Sequence, residues 1–211
     1  MAHSITQTCM REVSTRIAKA FKSEGFRRQA PHLWREQGDL VNVINFQASQ
    51  WGSASAGSFT INLASTNRPL YSTWTGRAFP ANPATATWPV HTRIGALAGG
   101  ADLWWDVDES TDAAALAERI VDSFHHGILE WFAEYPSLAA LESGLSTFRQ
   151  YGDVPGVHEA QVPLIQAIIK HQAGDLPGSS RFLAIATVAA QGKPFAEVVS
   201  VISERLNSRN A

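Results

Sequence analysis

The sequence predicts an α+β fold: an N-terminal helix, an antiparallel sheet of about five strands covered by a long helix, and an all-helical C-terminal subdomain. Three observations predict it. Apolar residues recur at helical spacing at the start of the chain, extended segments of alternating polarity follow, and helical spacing returns from Asp112 onward. No helical stretch separates the extended segments, which favours antiparallel pairing over a parallel sheet.

The first element is an amphipathic helix from Ser4 to Glu24. Its apolar residues are three or four positions apart: Ile5, Cys9, Val13, Ile17, Ala20 and Phe21. Ser4 is placed to cap the start, since a serine oxygen accepts hydrogen bonds from free N–H groups of the first turn. Gly25 is placed to end the helix, because glycine readily adopts the left-handed conformation that follows many helices.

Five extended segments separated by Gly, Ser and Pro follow Gly25. They read HLWREQ, LVNVINFQASQW, SFTINLAS, HTRIGAL and DLWWDVD. Their β-branched and aromatic residues are typical of strands. Between Thr66 and Pro89, four prolines and the lack of a sustained period predict a long irregular excursion from the sheet.

Helical spacing returns between Asp112 and Tyr135, where Asp112 or Thr111 is placed as the cap. One apolar stripe runs along this helix: Leu116, Ile120, Phe124, Ile128 and Trp131. Shorter helical runs separated by Pro and Gly follow Pro136. We therefore predict a sheet domain at residues 1–135 and a helical subdomain at residues 136–211 packed against it, with the boundary near YGDVPG.

Alternation divides each of the two longest strands into an apolar and a mixed side. In the first strand, the apolar side contains Leu40, Ile44 and Phe46, and the mixed side contains Val41, Val43, Asn45 and Gln47. In the second, the apolar side contains Phe59, Ile61 and Leu63, and the mixed side contains Thr60, Asn62 and Ala64. Because the apolar sides of paired strands must coincide, the amides form a patch on the opposite face.

This amide patch is the candidate binding site. Later strands bring further side chains within reach of it, so the predicted binding residues are Asn45, Gln47, Asn62, His91, Arg93 and Trp104. Amides donate and accept hydrogen bonds but are poor proton-transfer groups, which suggests recognition rather than acid–base chemistry. An alternative reading is purely structural, since antiparallel sheets often expose one polar face to water.

Composition and charge exclude several classes of protein. Lys and Arg number 17 against 19 Asp and Glu, for a formal net charge of -2, so we expect no nucleic-acid partner. No signal-like or membrane-spanning apolar run occurs. Cys9 is the only cysteine, which leaves no internal disulfide. We expect a cytoplasmic protein that does not bind membranes.

No motif for a catalytic or cofactor site stands out. The sequence lacks G-x-S-x-G, a Walker-type loop and a G-x-G-x-x-G fingerprint, and we predict no cofactor. Asp122, His126 and Glu130 share a helical face, but it lies opposite the apolar stripe, so a solvated surface is favoured over a metal site. The acidic residues Asp102, Asp106, Asp108 and Glu109 are also interpreted as a half-buried strand and its exposed end. We predict no metal site.

Seven tryptophans are present, and most are expected in the core. Trp74 and Trp88 lie in the irregular excursion. They either anchor a partner on the loop or pin the loop to its own sheet, and the second interpretation is favoured.

The run FKSEGFRRQAPHLWR, DLVNVINFQASQW, SFTINLAS and RIGALAGGADLWWDVD, followed by a helix, resembles the bacterial domain-of-unknown-function 4304 family. The Asn-Phe-Gln and Trp-Trp elements carry the resemblance, which covers residues 13–135. It supports the fold and implies no activity, cofactor or catalytic residue.

The first functional hypothesis is a cytoplasmic, non-catalytic binding protein that uses the polar sheet face and the Trp-containing loop. Its partner would be a protein, or a neutral or anionic small molecule. The alternative is a small-molecule enzyme with a site between that face and the loop, in which Arg93 holds an anionic group and His91 or Asp106 moves protons. A third hypothesis is self-association of the tail through Val198, Val199 and Ile202. Enzymatic activity is left open.

Overall fold

The computed structural model describes residues 4–86, 88–100, 102–145 and 159–208. The helices are α1 (Ile5–Ala20), α2 (Arg68–Thr75), α3 (Ala113–Glu134), α4 (Leu138–Gly144), α5 (Gln161–Gln172), α6 (Leu176–Ala190) and α7 (Ala196–Ser208). The strands are β1 (Arg27–Gln29), β2 (His32–Gln37), β3 (Leu40–Ala48), β4 (Ala56–Thr66), β5 (Val90–Arg93) and β6 (Trp105–Asp108). Short 3-10 turns lie at Pro83–Thr85 and Ile94–Ala98. Among the described helices, none has the length and hydropathy needed to cross a membrane.

Six antiparallel strands form one sheet, and the predicted α+β class is confirmed. The strand order is β1-β2-β3-β4-β5, and β6 pairs with the beginning of β4 while β5 pairs with its end. Strand β1 was not predicted from the sequence. Its three residues, Arg27 to Gln29, are all exposed, so they carry no apolar alternation that would mark a strand.

The first helix begins as predicted and ends earlier. Ser4 caps it, with its hydroxyl oxygen accepting from the backbone N–H of Gln7 at 3.3 Å. Regular helix stops at Ala20 rather than Glu24, and turns lead to Gly25, whose φ of 81° lies in the left-handed region. The expected glycine stop is therefore present at the end of the turn, where the chain leaves α1 for β1.

The main core forms where the predicted apolar sides of β3 and β4 coincide. Ile44 pairs with Leu63 and Phe46 with Ile61 in the strand register. All four are almost completely buried, together with residues of both α1 and α3. The long helix α3 thus shares the covering of the sheet with α1, and the capping of α3 by Asp112 is confirmed because its carboxylate accepts from two backbone N–H groups.

One polar residue also lies on the core side of β3. Asn42 is fully buried, and its amide donates to Oε1 of Gln37 at 2.8 Å. Ser65 on β4 is paired with Asn42 in the strand register, and its hydroxyl donates to Oδ1 of Asn42 at 2.6 Å. The same Gln37 oxygen accepts from Arg35 at 2.7 Å. These bonds satisfy groups that would otherwise be costly to bury.

The segment between Thr66 and Pro89 is more regular than predicted. It contains α2, capped by the side chain of Asn67, and the 3-10 turn Pro83–Thr85. Eight helical residues that begin beside a proline leave too few turns for a helical period to be recognised in the sequence. This excursion packs back on the sheet and builds a second, smaller core, formed by Val41, Val43, Ala64 and Ala84 with Trp34, Phe79 and Trp88.

Helices of the tail contact the sheet domain at several points. The buried Gln161 side chain donates to the carbonyl oxygen of Pro89 at 2.9 Å, and the core that includes α3 continues into α5. Val199 and Ile202 are buried in this core and are not available for the predicted self-association, whereas Val198 is partly buried. The division into residues 1–135 and 136–211 stays a prediction, and YGDVPG lies outside the described residues.

Candidate functional site

The sheet face opposite the main core divides into a covered and an open half. The excursion covers the half that contains Val41, Val43 and Ala64. Polar residues occupy the other half, and we call them the amide face: His32, Asn45, Gln47, Thr60, Asn62, His91, Arg93 and Trp104. The six predicted site residues lie on this one face, as the alternation of the strands predicts.

The strand register explains why these side chains meet. Asn45 lies opposite Asn62, Gln47 opposite Thr60, and Asn62 opposite Arg93. His91 lies one pair further along, opposite Ala64, at the border of the covered half. Trp104 directly precedes β6 and packs against Arg93 of this face. The guanidinium carbon of Arg93 lies 5.0 Å from the centre of the indole ring.

A chain of hydrogen bonds links His32, Asn45, Asn62 and Gln47. Nδ1 of His32 accepts from the backbone N–H of Phe46 at 3.2 Å and lies 3.0 Å from Nδ2 of Asn45. Nδ2 of Asn62 donates both to Oδ1 of Asn45 at 3.1 Å and to Oε1 of Gln47 at 2.9 Å. Each amide in the chain therefore has a neighbour that determines its orientation.

The direction of this chain follows from one backbone group. Because the N–H of Phe46 must donate, Nδ1 of His32 carries no proton, and Asn45 must present its NH₂ group to that nitrogen. The oxygen of Asn45 then faces Asn62, which must in turn present its NH₂ group. At the end of the chain, Gln47 accepts with its oxygen and leaves its own NH₂ group outward on an exposed side chain.

Arg93 is held by an acidic and an aromatic neighbour. Its Nη1 lies 2.7 Å and 2.9 Å from the two carboxylate oxygens of Asp102. The indole N–H of Trp104 donates to the same carboxylate at 3.0 Å. Partial burial acts to raise the pKa of Asp102, but the hydrogen bonds from Trp104 and Arg93 and the charge of Arg93 prevail and lower it. Arg93 is therefore locally neutralised.

On the same face, the side chains of His91 and Thr60 form hydrogen bonds with backbone carbonyl groups. Nδ1 of His91 lies 3.2 Å from the carbonyl oxygen of Trp88 and donates to it, which leaves Nε2 without a proton in the neutral ring. Burial lowers the pKa of His91, although the Trp88 carbonyl opposes that shift. Thr60 is fully buried, and its hydroxyl donates to the carbonyl oxygen of Leu103 at 2.7 Å, so it holds the segment before β6 in place rather than facing a ligand.

Three residues near the amide face were not predicted as part of the site. His32 was not among the predicted binding residues, and Asp102 was interpreted as part of a half-buried strand. Trp51 was not singled out among the seven tryptophans, and its side chain is 79% exposed at the hairpin between β3 and β4. The signal for Trp51 was its position in a Gly/Ser-rich turn, where an indole has no core to enter.

The two tryptophans of the excursion pack against their own chain. Trp88 borders the second core. Trp74 packs on the main core, with its ring centre 6.4 Å from that of Phe195 on the segment before α7. This supports the favoured interpretation, in which these rings pin the excursion to the fold rather than anchor a partner.

The acidic and histidine positions considered for a metal are exposed or otherwise engaged. His126 and Glu130 pair at 3.0 Å with most of both side chains in solvent. Asp108 accepts from Ser110 and Thr111 in the turn before α3. Within the described residues, no three His, Cys, Asp or Glu side chains come together in an arrangement that could hold a metal ion. His158 lies outside the described residues.

Acid is expected to destabilise the protein through His32. Burial lowers its pKa below the ordinary 6.5, so the unfolded chain binds more protons than the folded one as the pH falls below 6.5. The stability contribution is complete above pH 6.5 and is lost as the pH falls through the folded pKa. Thermal unfolding between about pH 8 and pH 5 measures it.

The matched variant is His32→Asn, whose Oδ1 can replace Nδ1 as the acceptor for the N–H of Phe46 without titrating. We expect its melting temperature to fall less over the same pH range than that of the wild type. His91, whose pKa is also lowered, retains its own contribution in both proteins. Equal pH dependence in the two proteins would contradict a role for His32.

Comparison with known proteins identifies one family. A family model described as Domain of unknown function (DUF4304) matches residues 17–134 of the 211-residue chain. The match begins in α1, includes every strand of the sheet and ends with the last residue of α3, close to the limits of the resemblance inferred from the sequence. No curated protein and no solved structure matches the chain.

Proposed function

The chain belongs to the family described as Domain of unknown function (DUF4304), and we propose that it is a cytoplasmic, non-catalytic binding protein whose contact surface is the amide face. The observation that carries the proposal is the direction of the hydrogen-bond chain, which leaves the NH₂ group of Gln47 outward on an exposed side chain. A single free cysteine, Cys9, agrees with a reducing compartment.

The outward groups favour a neutral ligand rich in hydrogen-bond acceptors. Gln47 presents an NH₂ group, and neutral His32 carries its proton on Nε2. The charge of Arg93 is balanced by Asp102, and Asp106 adds a negative charge on the same face. A strongly anionic ligand therefore gains little there, whereas a carbonyl oxygen can accept from the NH₂ group of Gln47.

The exposed Trp51 beside the polar row favours a protein partner over a small molecule. The polar row extends from β2 to β5, which is three strand spacings or about 14 Å. Trp51 stands at the hairpin that ends this half of the sheet, and exposed tryptophans are common anchors of protein interfaces. Because Trp74 and Trp88 pack internally, the excursion supports the surface from the side and supplies no indole anchor of its own.

The test is retention of proteins from a lysate by the wild type and by Gln47→Glu. Glutamate keeps the shape and the oxygen that accepts from Asn62, but it replaces the outward donor by an acceptor. We expect partner affinity to fall about tenfold or more, because a lost hydrogen bond and a new repulsion together exceed about 1.4 kcal/mol. Trp51→Ala should weaken the same partner.

The control is Gln191→Glu, which makes the same chemical change on an exposed residue that follows α6. It should retain the partner as the wild type does. The retained protein is then purified, and its affinity for each folded variant is measured by calorimetry. Equal affinities of Gln47→Glu and Gln191→Glu for the purified partner would exclude the amide face as the contact surface.

One observation favours the alternative, a small-molecule enzyme. The neutral ring of His91 has an unprotonated Nε2 at the border between the amide face and the excursion, as a general base requires. Against this alternative, Arg93 is already bound by Asp102 and is not free to hold an anionic group. A retained small molecule that the wild type alters and His91→Asn does not would favour the enzyme over the binding protein.

A further inference from the structure

The hydrogen-bond chain of the amide face depends on the protonation state of His32. Nδ1 of the neutral ring accepts from two N–H groups, those of Phe46 and Asn45. A protonated imidazole carries N–H on both nitrogens, so Nδ1 then becomes a donor and can accept from neither. Asn45 restores a hydrogen bond if its amide turns and presents Oδ1 to the ring, whereas the backbone N–H of Phe46 loses its acceptor, a cost that favours the neutral ring.

That rotation passes along the chain. Once Asn45 presents its oxygen to His32, its NH₂ group faces Asn62, whose own NH₂ group is there already. Two donors cannot pair, so Asn62 must also turn and present its oxygen. Gln47 then faces the oxygen of Asn62 instead of its NH₂ group. The amide of Gln47 therefore turns as well and directs its carbonyl oxygen outward.

We propose that protonation of His32 reverses the hydrogen-bond polarity of the amide face and converts the exposed group of Gln47 from a donor into an acceptor. This inference rests on the proposed function, because it concerns regulation of the same surface. A ligand that presents carbonyl oxygens is bound while His32 is neutral and released when His32 is charged. Each step is a rotation of an amide, and the one chemical change is the proton taken up by the ring.

Burial is what shifts the pKa of His32, and it lowers that pKa. The neighbouring strand β3 and the 3-10 turn Pro83–Thr85 contain no titratable side chain. α1 packs on the opposite face of the sheet. The charged residues of β1 and of the same face of β2 have other contacts: Arg27 over the Trp34 ring, Arg28 on the carbonyl of Arg11, and Glu36 with Arg68.

NMR of isotope-labelled protein tests the proposal without any ligand. The ring nitrogens of His32 and the side-chain NH₂ signals of Gln47 are followed from about pH 8 to about pH 5. In the wild type we expect both sets to shift with the same midpoint. In Asn62→Leu, which interrupts the chain, the ring should titrate while the Gln47 signals stay constant, and Asn45→Ala serves the same purpose if that variant does not fold.

Two histidine variants complete the design. In His32→Asn the Gln47 signals should not change with pH, whereas in the matched control His91→Asn they should titrate as in the wild type. The proposal is overturned if Gln47 is constant while His32 titrates in the wild type, if Gln47 still titrates in Asn62→Leu, or if His32 stays neutral until the protein unfolds. Partner affinity that depends on Gln47 but not on pH would overturn the reversal alone and leave the proposed function intact.

Discussion

Replacing Phe59 with alanine is expected to lower the free energy of unfolding by about 3–5 kcal/mol. Phe59 is fully buried in β4 and packs its ring 6.2 Å from that of Phe46 and 5.4 Å from that of Trp105. It also pairs with Ala48 on one side and with Trp105 on the other. Its loss would therefore leave a cavity between three strands, which the backbone pairing prevents from closing.

Urea unfolding measures this effect as a lower midpoint with an unchanged slope. The matched variant is Phe59→Leu, which keeps most of the volume and should cost less than about 1.5 kcal/mol. A similar loss in both variants would indicate that ring shape rather than cavity volume matters. A loss below about 1 kcal/mol in Phe59→Ala would contradict the position of Phe59 in the core.

Replacing Arg205 with alanine is expected to cost about 1.5–3 kcal/mol, the range for hydrogen bonds from a charged group. Arg205 lies on α7, and its Nη1 donates to the carbonyl oxygens of Thr73 and Trp74 at 2.9 Å and 2.7 Å. These carbonyls belong to the last turn of α2, where a positive charge also interacts favourably with the helix dipole. Gly76, with φ of 73°, ends that helix against the guanidinium group.

Arg205→Lys separates charge from geometry. Lysine keeps the positive charge but lacks the planar group that serves both carbonyls, so we expect partial recovery of stability. Limited proteolysis adds a second measurement, since weakening this contact should expose the chain between α6 and α7 sooner in Arg205→Ala than in the wild type. Unchanged stability and unchanged cleavage would contradict the docking of α7 on α2.

Much of the candidate site could be predicted from the sequence. Asn45 and Asn62 share a face because side chains alternate along a strand, and the apolar sides of β3 and β4 must meet in the core. That requirement determines which faces coincide, and the pairing of β5 with β4 places Arg93 beside Asn62. The caps at Ser4 and Asp112 were also predictable, since each acts within one turn of its own helix.

By itself the sequence determined the fold class, the faces of β3 and β4 and every member of the amide face except His32, because these follow from periodicity and from contacts that are local or forced by burial. Only the tertiary structure decided that Trp51 is exposed while Trp88 packs inward, that Asp102 neutralises Arg93, and that His32 orients the amides. Each of these depends on distances between atoms that are far apart in the chain. A hydrogen bond requires its donor and acceptor within about 3 Å, and no pattern of residue types specifies that.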